Sequence, residues 1–305
     1  MAGFPPTELS HSVRANTLRP TVLMYLKILT NTSNIGGGQI LRNALSLSSI
    51  LNQPMEIHNI RGGRPIPGLV ITNYSTIRPQ HLACVNIISE ISSAKISQTS
   101  VGTLDLTYCP GNIHGGNYVS ISLIIQAALP CLVFAGASSH LTLCGGTDVP
   151  TSPPIKYYEN VVLKNIHKFG VNASIKTISR GLYPKGGGKV ELSVPSQETP
   201  KAVEMTESGD SVIFGNREDP IIVGEELGRK VVALVKAEIC LDEYMQDQVV
   251  LWMALAEGRS RILCGDITLH TQSSILLIEQ FLSGVKFEIK SVSPGKNLIS
   301  CTGFK

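Results

Sequence analysis

The sequence lacks any CxxC pair, and its seven cysteines, an odd number, sit mostly inside apolar runs. That argues against a disulfide framework or a cysteine-based zinc site, and for reduced core thiols in an intracellular protein. Aromatic residues make up only 5% of the chain, too few for a broad base-stacking platform. No apolar run is both long enough and charge-free enough for a bilayer, which takes ~20 residues. The piece "TVLMYLKIL" is short and carries Lys27. Neither HExxH nor a GxxxxGK-type P-loop occurs, so those two catalytic frameworks are excluded. A strong excess of one charge is missing too. The net charge of +3 permits an anionic partner without demanding one.

What is present is an ordinary globular composition: 43% hydrophobic and 16% charged over 305 residues, enough for one large domain or two smaller ones. The first twenty residues hold two arginines and few acids, a faint likeness to a transit peptide. An extension that does not belong to the fold is the preferred reading.

Apolar residues recur at three- and four-residue steps from Gln39, Pro79, Val119, Pro153, Gly224, Gln246 and Ser273, which predicts seven helices. Between them lie strand-like pieces: "MEIHNIRG", "TLDLTYCPG", "HLTLCGG", "KVELSV", "SRILCGD", "KFEIKSV" and "NLISCTG". Pairs of helices alternating with pairs of strands predict an α/β (α+β) fold of repeated βαβαββ units, with helices on one face of each sheet. Three such units end near Cys144, near Val194 and at the C-terminus, the middle one less complete. The polar, turn-rich stretch "SQETPKAVEMTESGDSVIFGNREDP" is the best candidate for a boundary.

Several motifs carry chemistry. "NIGGGQILRNALS" opens a helix with three glycines, whose backbone N–H groups and helix dipole suit an anion, and Arg42 is expected in the first turn, within reach of the same anion. Alone, this reads first as a tight turn. "IRGGRPIPG" supplies Arg61 and Arg64, which suit a phosphate clamp or form a solvated basic turn. "RPQHLA" adds Arg78, Gln80 and His81 at a helix start. Asp148, in a Gly/Pro loop, reads as a turn cap before a metal ligand. "SRGLYPKGGGKVEL" reads as a hairpin with Lys185 in its turn. In "DEYMQDQVV", Asp247 reads first as a helix cap and second as a nucleotide or metal contact.

His270 stands in "ITLHTQSS", just ahead of an expected helix. The helix dipole disfavours the imidazolium there, which keeps the ring neutral and nucleophilic, and the same helix end welcomes a phosphate. A histidine at a strand end is often an ordinary loop residue. Together with the arginines, it points to phosphoryl or nucleotidyl transfer.

The ordered series "GGGQILRNALSLS", "IRGGRPIPGL", "RPQHL", "LIIQAALP", "GGTD", "RGLYPKGGGKVEL", "EYMQDQ" and "TLHTQSS" closely resembles the RNA 3′-terminal phosphate cyclase family, its eukaryotic branch most, from Gly36 onward. The resemblance implies three βαβαββ repeats around a pseudo-threefold axis, with residues 35–305 as the cyclase domain and 1–34 as an atypical extension. It implies an ATP-dependent enzyme that turns an RNA 3′-phosphate into a 2′,3′-cyclic phosphate through His-AMP and RNA-adenylate intermediates, with a divalent metal, Mg or Mn. By position, His270 matches the nucleophile. Gln126, Tyr244, Met245, Gln246, Asp247 and Gln248 match the ATP-binding segments. Arg42, Arg61, Arg64, Gln80 and His81 match the phosphate and RNA side. The implied partners are ATP and RNA with a 3′-terminal phosphate, with no membrane, and the implied location is the nucleus, with the cytoplasm second.

Three departures from the family pattern stand out. Ile35 occupies the place of a metal-side Glu, where "TVLMYLKILTNTSN" replaces the usual first strand; "VITNYSTI" separates "PGL" from "RPQHL"; and the family's insert domain is expected to be absent near 215–222. These leave a catalytically inactive scaffold in ribosome biogenesis or RNA processing as the alternative, and an enolpyruvyl-type transferase as a third reading.

Overall fold

The computed structural model describes residues 26–29, 38–61, 68–69, 80–113, 121–149, 152–182, 185–207, 225, 228–229, 232–233 and 236–304. The first group of elements is β1 (Leu26–Leu29), α1 (Gly38–Leu51), β2 (Met55–His58), α2 (Gln80–Ile91), β3 (Lys95–Ile96) and β4 (Leu106–Cys109). Its sheet runs β1-β2-β4-β3, with β1 parallel to β2 and β4 antiparallel to both its neighbours. The second group opens with α3 (Ser122–Val133) and β5 (Ser139–Gly145). Next come α4 (Ile155–Tyr157), a π-helical turn (Tyr158–Val162), α5 (Leu163–Lys168), β6 (Ser174–Ser179) and β7 (Gly188–Val194). Its sheet is antiparallel, in the order β5-β7-β6.

The last group holds β8 (Glu204–Met205), α6 (Glu243–Leu255), β9 (Arg259–Cys264), α7 (Leu269–Phe281), β10 (Lys286–Ser293) and β11 (Lys296–Thr302). Taken from its first strand, its sheet runs β8-β9-β11-β10, with β8 parallel to β9 and the other pairs antiparallel. Strand order and orientation match those of the first sheet. In each parallel pair a helix makes the crossover that such pairing requires.

Three expectations change. The segment read as an extension supplies β1, whose Leu26 to Leu29 pair with Met55 to His58. The short run "LKIL" is too brief to show period-2 alternation by itself, and pairing with β2 makes it a strand. α6 starts at Glu243, because Asp242 caps it by accepting from the N–H groups of Tyr244 and Met245. Asp247 is therefore not the cap. α7 starts at Leu269, capped by Thr268, so His270 lies inside its first turn and not before it. The extra "VITNYSTI" at 70–77 and the expected deletion near 215–222 lie outside the described residues.

The sheets bury one face. Met55 and Ile57 of β2, Leu141 and Leu143 of β5, Val190 and Leu192 of β7, and Ile262 and Cys264 of β9 enter a single apolar core. α1 is buried on nearly every side. Its serines are tolerated there because Ser46 and Ser49 donate to the carbonyls of Arg42 and Leu45, four residues back. Ser46 also reaches the Ala127 carbonyl of α3 at 2.8 Å. Tyr108 of β4 hydrogen-bonds Ser49 and Ser92, pinning the first sheet to α1 and to the end of α2. All seven cysteines are free thiols. Among the described residues, no helix is long and apolar enough to cross a membrane.

Candidate functional site

The helices of all three groups are joined by side chains from their N-terminal halves. α1 opens at Gly38, where a Cβ would run into the His81 ring at the start of α2 and lie 2.9 Å from Arg42 Nη1. Glycine is what lets these two helix ends approach so closely. Arg42 Nε donates to Gln126 Oε1 of α3 at 2.7 Å. Asn43 of α1 donates to Ser274 Oγ of α7 at 3.2 Å. Gln246 Nε2 of α6 donates to Thr271 Oγ1 of α7 and to the Asp266 carbonyl, both at 3.2 Å. Tyr157 Oη of α4 donates to Asp242 Oδ1, the α6 cap, at 2.7 Å. The first turn of a helix carries unpaired N–H groups and a partial positive charge, so several first turns at one place favour an anion.

The cationic wall comes from α1, α2 and the end of β2. Arg42 is 8% exposed, and its Nη2 donates to Gln39 Oε1 at 2.9 Å. The same Gln39 oxygen accepts from Gln126 Nε2 at 2.8 Å. Gln39 Nε2 is buried without a protein partner. Nothing in the motif reading singled out Gln39, although its place three residues before Arg42 puts both on one helix face. Arg61 holds φ at 56°, in the left-handed region. Such strain costs roughly 1–3 kcal/mol in a non-glycine residue and gathers at ligand sites. Arg61 Nη1 lies 3.5 Å from His81 Nδ1. A guanidinium can only donate, so Nδ1 accepts and the ring proton rests on Nε2. Burial, then Arg61 and Arg42, lowers His81 to about 4, which makes it neutral at pH 7.

The opposite wall is acidic. Burial pushes the Asp242 carboxyl up, against the Tyr157 hydroxyl and the two capped amides. Burial also pushes Asp247 up to about 7; Arg42 pulls it back and Asp242 adds to the rise. Tyr244 is 60% exposed at the start of α6. Gln248 is buried, and its Nε2 donates to the Tyr244 carbonyl. His270 is exposed, the second residue of α7.

Among the expected site residues, the fold brings Arg42, Arg61, His81 and Gln126 into one cluster, and Asp247 within electrostatic reach of Arg42. His270 and Tyr244 stand on first turns bonded into the same end. The direct contact expected of Met245 and Gln246 does not fit their placement. Met245 is core, and Gln246 spends its side chain on the α6–α7 joint. Successive helix residues point about 100° apart, so a contiguous motif cannot all face one ligand. Arg64 and the Gln80 side chain lie outside the described residues; Gln80 begins α2. Asp148 is held in a two-point fork by Arg180 at 2.7 and 3.2 Å, and Thr147 donates to it at 2.6 Å, so it braces a loop. Lys185 is exposed beyond that brace.

The model of the RNA 3'-terminal phosphate cyclase family matches residues 33–289. The RNA 3'-terminal phosphate cyclase of Drosophila melanogaster is 30% identical, over 88% of this chain and 94% of its own. Those of Pyrobaculum aerophilum and Korarchaeum cryptofilum are each 32% identical. They cover 83% and 88% of this chain, and 91% and 95% of their own. The crystal structure of the enolpyruvyl transferase NikO from Streptomyces tendae aligns with a TM-score of 0.45 at 11% identity, over 91% of this chain and 48% of its own. A likeness of that size says nothing about activity.

Proposed function

The chain belongs to the RNA 3′-terminal phosphate cyclase family, and from that premise we propose that it converts an RNA 3′-terminal phosphate into a 2′,3′-cyclic phosphate at the expense of ATP. The observation that carries this reading is the cluster of Arg42, Arg61, Gln39 and Gln126 among converging helix ends, with an exposed imidazole on one of those ends. An anion bound there lies among fixed donors that need no rearrangement as charge builds up.

In the proposed sequence, a His270 ring nitrogen attacks the α-phosphorus of ATP. An N–P bond forms, the α–β P–O bond breaks, and pyrophosphate leaves. The RNA 3′-phosphate oxygen then attacks the same phosphorus, the N–P bond breaks, and an RNA-adenylate results. The vicinal 2′-hydroxyl attacks the 3′-phosphorus, loses its proton and expels AMP. Arg42 and Arg61 bind non-bridging oxygens, where negative charge gathers in phosphoryl transfer. Exposed Tyr244 offers a flat face on the nucleotide side. We read the three sheets as three copies of one unit around an axis, because the first and last share strand order and orientation.

A divalent cation would supply charge neutralisation on the triphosphate. Among the described residues, no group of three His, Cys, Asp or Glu stands together to cage one. Such an ion could arrive on the phosphates, as magnesium commonly does, with Asp247 a carboxylate within electrostatic reach of Arg42.

Incubation with α-labelled ATP and a divalent metal tests the reading. The expected result is an acid-labile label on the chain that His270→Ala abolishes. Folded wild-type protein that takes up no label, or a His270→Ala variant that labels normally, rules the mechanism out. Co-purification with pre-ribosomal particles and no label would favour the inactive scaffold.

A further inference from the structure

α1 carries two adjacent polar side chains that point to different helices. Arg42 turns to α3, where its Nε donates to Gln126, and Asn43 turns to α7, where its Nδ2 donates to Ser274 Oγ at 3.2 Å. Successive helix residues point about 100° apart, which is how one helix serves both neighbours. Ser274 stands four residues, one turn, along α7 from His270. Both partners are shut away from solvent, Asn43 at 3% exposure and Ser274 fully buried. We propose that Asn43 and Ser274 are a positioning pair that holds the His270 turn in register with the Arg42 guanidinium, a role that rests on the cyclase reading of His270.

Elsewhere α1 and α7 give apolar side chains to the common core, among them Leu45 and Leu47 on α1 and Ile275 and Ile278 on α7. Hydrophobic and dispersion attraction have no direction, so apolar contacts alone permit two helices to slide. A buried amide–hydroxyl hydrogen bond does have direction. A slide of one residue, about 1.5 Å, breaks it and leaves two buried polar groups without each other. A single buried asparagine sets helix register in this way in coiled coils. The same turn of α7 is also held from α6. Gln246 Nε2 donates to Thr271 Oγ1, on the residue after His270, and the Thr271 N–H donates to the Thr268 cap. With that anchor in place, loss of the Asn43–Ser274 bond shifts the turn without releasing it. The shift falls on the alignment of His270 with the α-phosphorus. Triphosphate binding by Arg42, Arg61 and Gln126 is left standing.

The test compares the full-length wild type with Ser274→Ala and with the double variant Asn43→Leu/Ser274→Ala, at a temperature where all three are folded. Thermal unfolding is measured beside the rate of label uptake from α-labelled ATP and a divalent metal. Ser274→Ala alone strands a buried amide, whereas the double variant leaves neither polar group of the pair behind, so its midpoint should return toward wild type. Both variants should still label about tenfold more slowly at saturating ATP, since a misplacement of ~1 Å can cost 10²-fold, while the ATP concentration for half-maximal labelling moves by less than about twofold. A merely structural pair predicts a rate that returns with the midpoint in the double variant, and that result overturns the proposal. So does labelling of Ser274→Ala at the wild-type rate, which leaves the cyclase reading intact. Wild-type protein that takes up no label removes that reading, and the role of the pair with it. Should Ser274→Ala fail to fold, the rate of the double variant decides alone.

Discussion

The wall built from α1, α2 and α3 and the wall built from α6 differ in charge, and buried groups on the two respond to acid in opposite directions. On the first, burial, helped by two guanidiniums, strips the proton from His81, lowering it to about 4. On the second, burial holds the proton on Asp247, raising it to about 7. Desolvation acts on both and favours the neutral form of each, one a base without its proton and the other an acid with it. Arg42 connects the two walls, because it pushes His81 down and pulls Asp247 back. The lesson is that a buried polar cluster here is kept nearly neutral, apart from the arginines that await an anion.

The largest expected break in that balance is Arg42→Ala. It removes the donor to Gln39 and Gln126 together and one of the cations from the phosphate side. Loss of one such preorganised donor costs on the order of 10²–10³ in rate. The rate of adenylate transfer from α-labelled ATP measures it. Arg42→Lys should recover little, because an ammonium cannot reproduce the guanidinium fork.

Acid sharpens the comparison next. His81 in the fold binds its proton later than the unfolded chain, so it costs stability as pH falls from about 6.5 toward about 4. Asp247 in the fold keeps its proton longer than the unfolded chain, so it costs stability as pH rises from about 4 toward about 7. The two slopes offset each other in the shared window. Asp247→Asn should remove the second and leave a steeper loss below pH 6.5, while stabilising the protein at pH 8 by about 4 kcal/mol at most. Urea unfolding at pH 5 and pH 8 compares the two slopes, and an unchanged difference between wild type and variant would contradict this assignment.

A smaller effect comes from Gly38→Ala. The new Cβ meets His81 and Arg42 and forces the two helix ends apart. Overpacking of this kind costs about 1–3 kcal/mol, and the urea midpoint should drop accordingly. The smallest is Tyr157→Phe, which strips one hydrogen bond, worth about 1 kcal/mol, from the Asp242 cap. Because Asp242 fixes the first turn of α6, KM for ATP should rise more than kcat falls. Equal changes in both would leave Tyr157 a merely structural residue.

Much of the fold was legible because long apolar periodicities belong to single elements. The helices of α1, α2 and α3 and the strands β5, β7, β9 and β11 fall where their spacing places them. Short strands were not legible. β3 and β8 are two residues each, and β1 is four, too short for a period and created by their neighbours. Helix starts moved for a local reason, since Asp242 and Thr268 outrank the apolar pattern as punctuation. At the site, Arg42, Arg61, His81 and Gln126 were named from motifs, yet the motifs could not report that Gln39 links two of them.

The amino-acid order by itself determined the repeated helix–strand succession, the glycine at the head of α1 and the family to which the chain belongs. These depend on local propensity and on residue identity, which need no partner. Only the tertiary structure decided that Met245 is core, that Gln246 is a joint, that Tyr157 and Tyr158 both turn inward, and that His81 and Asp247 are pushed toward neutrality. Direction, burial and electrostatic company are properties of what packs against a residue, and residues as far apart in the chain as Arg42 and Asp247 acquire them only when α1 and α6 come together.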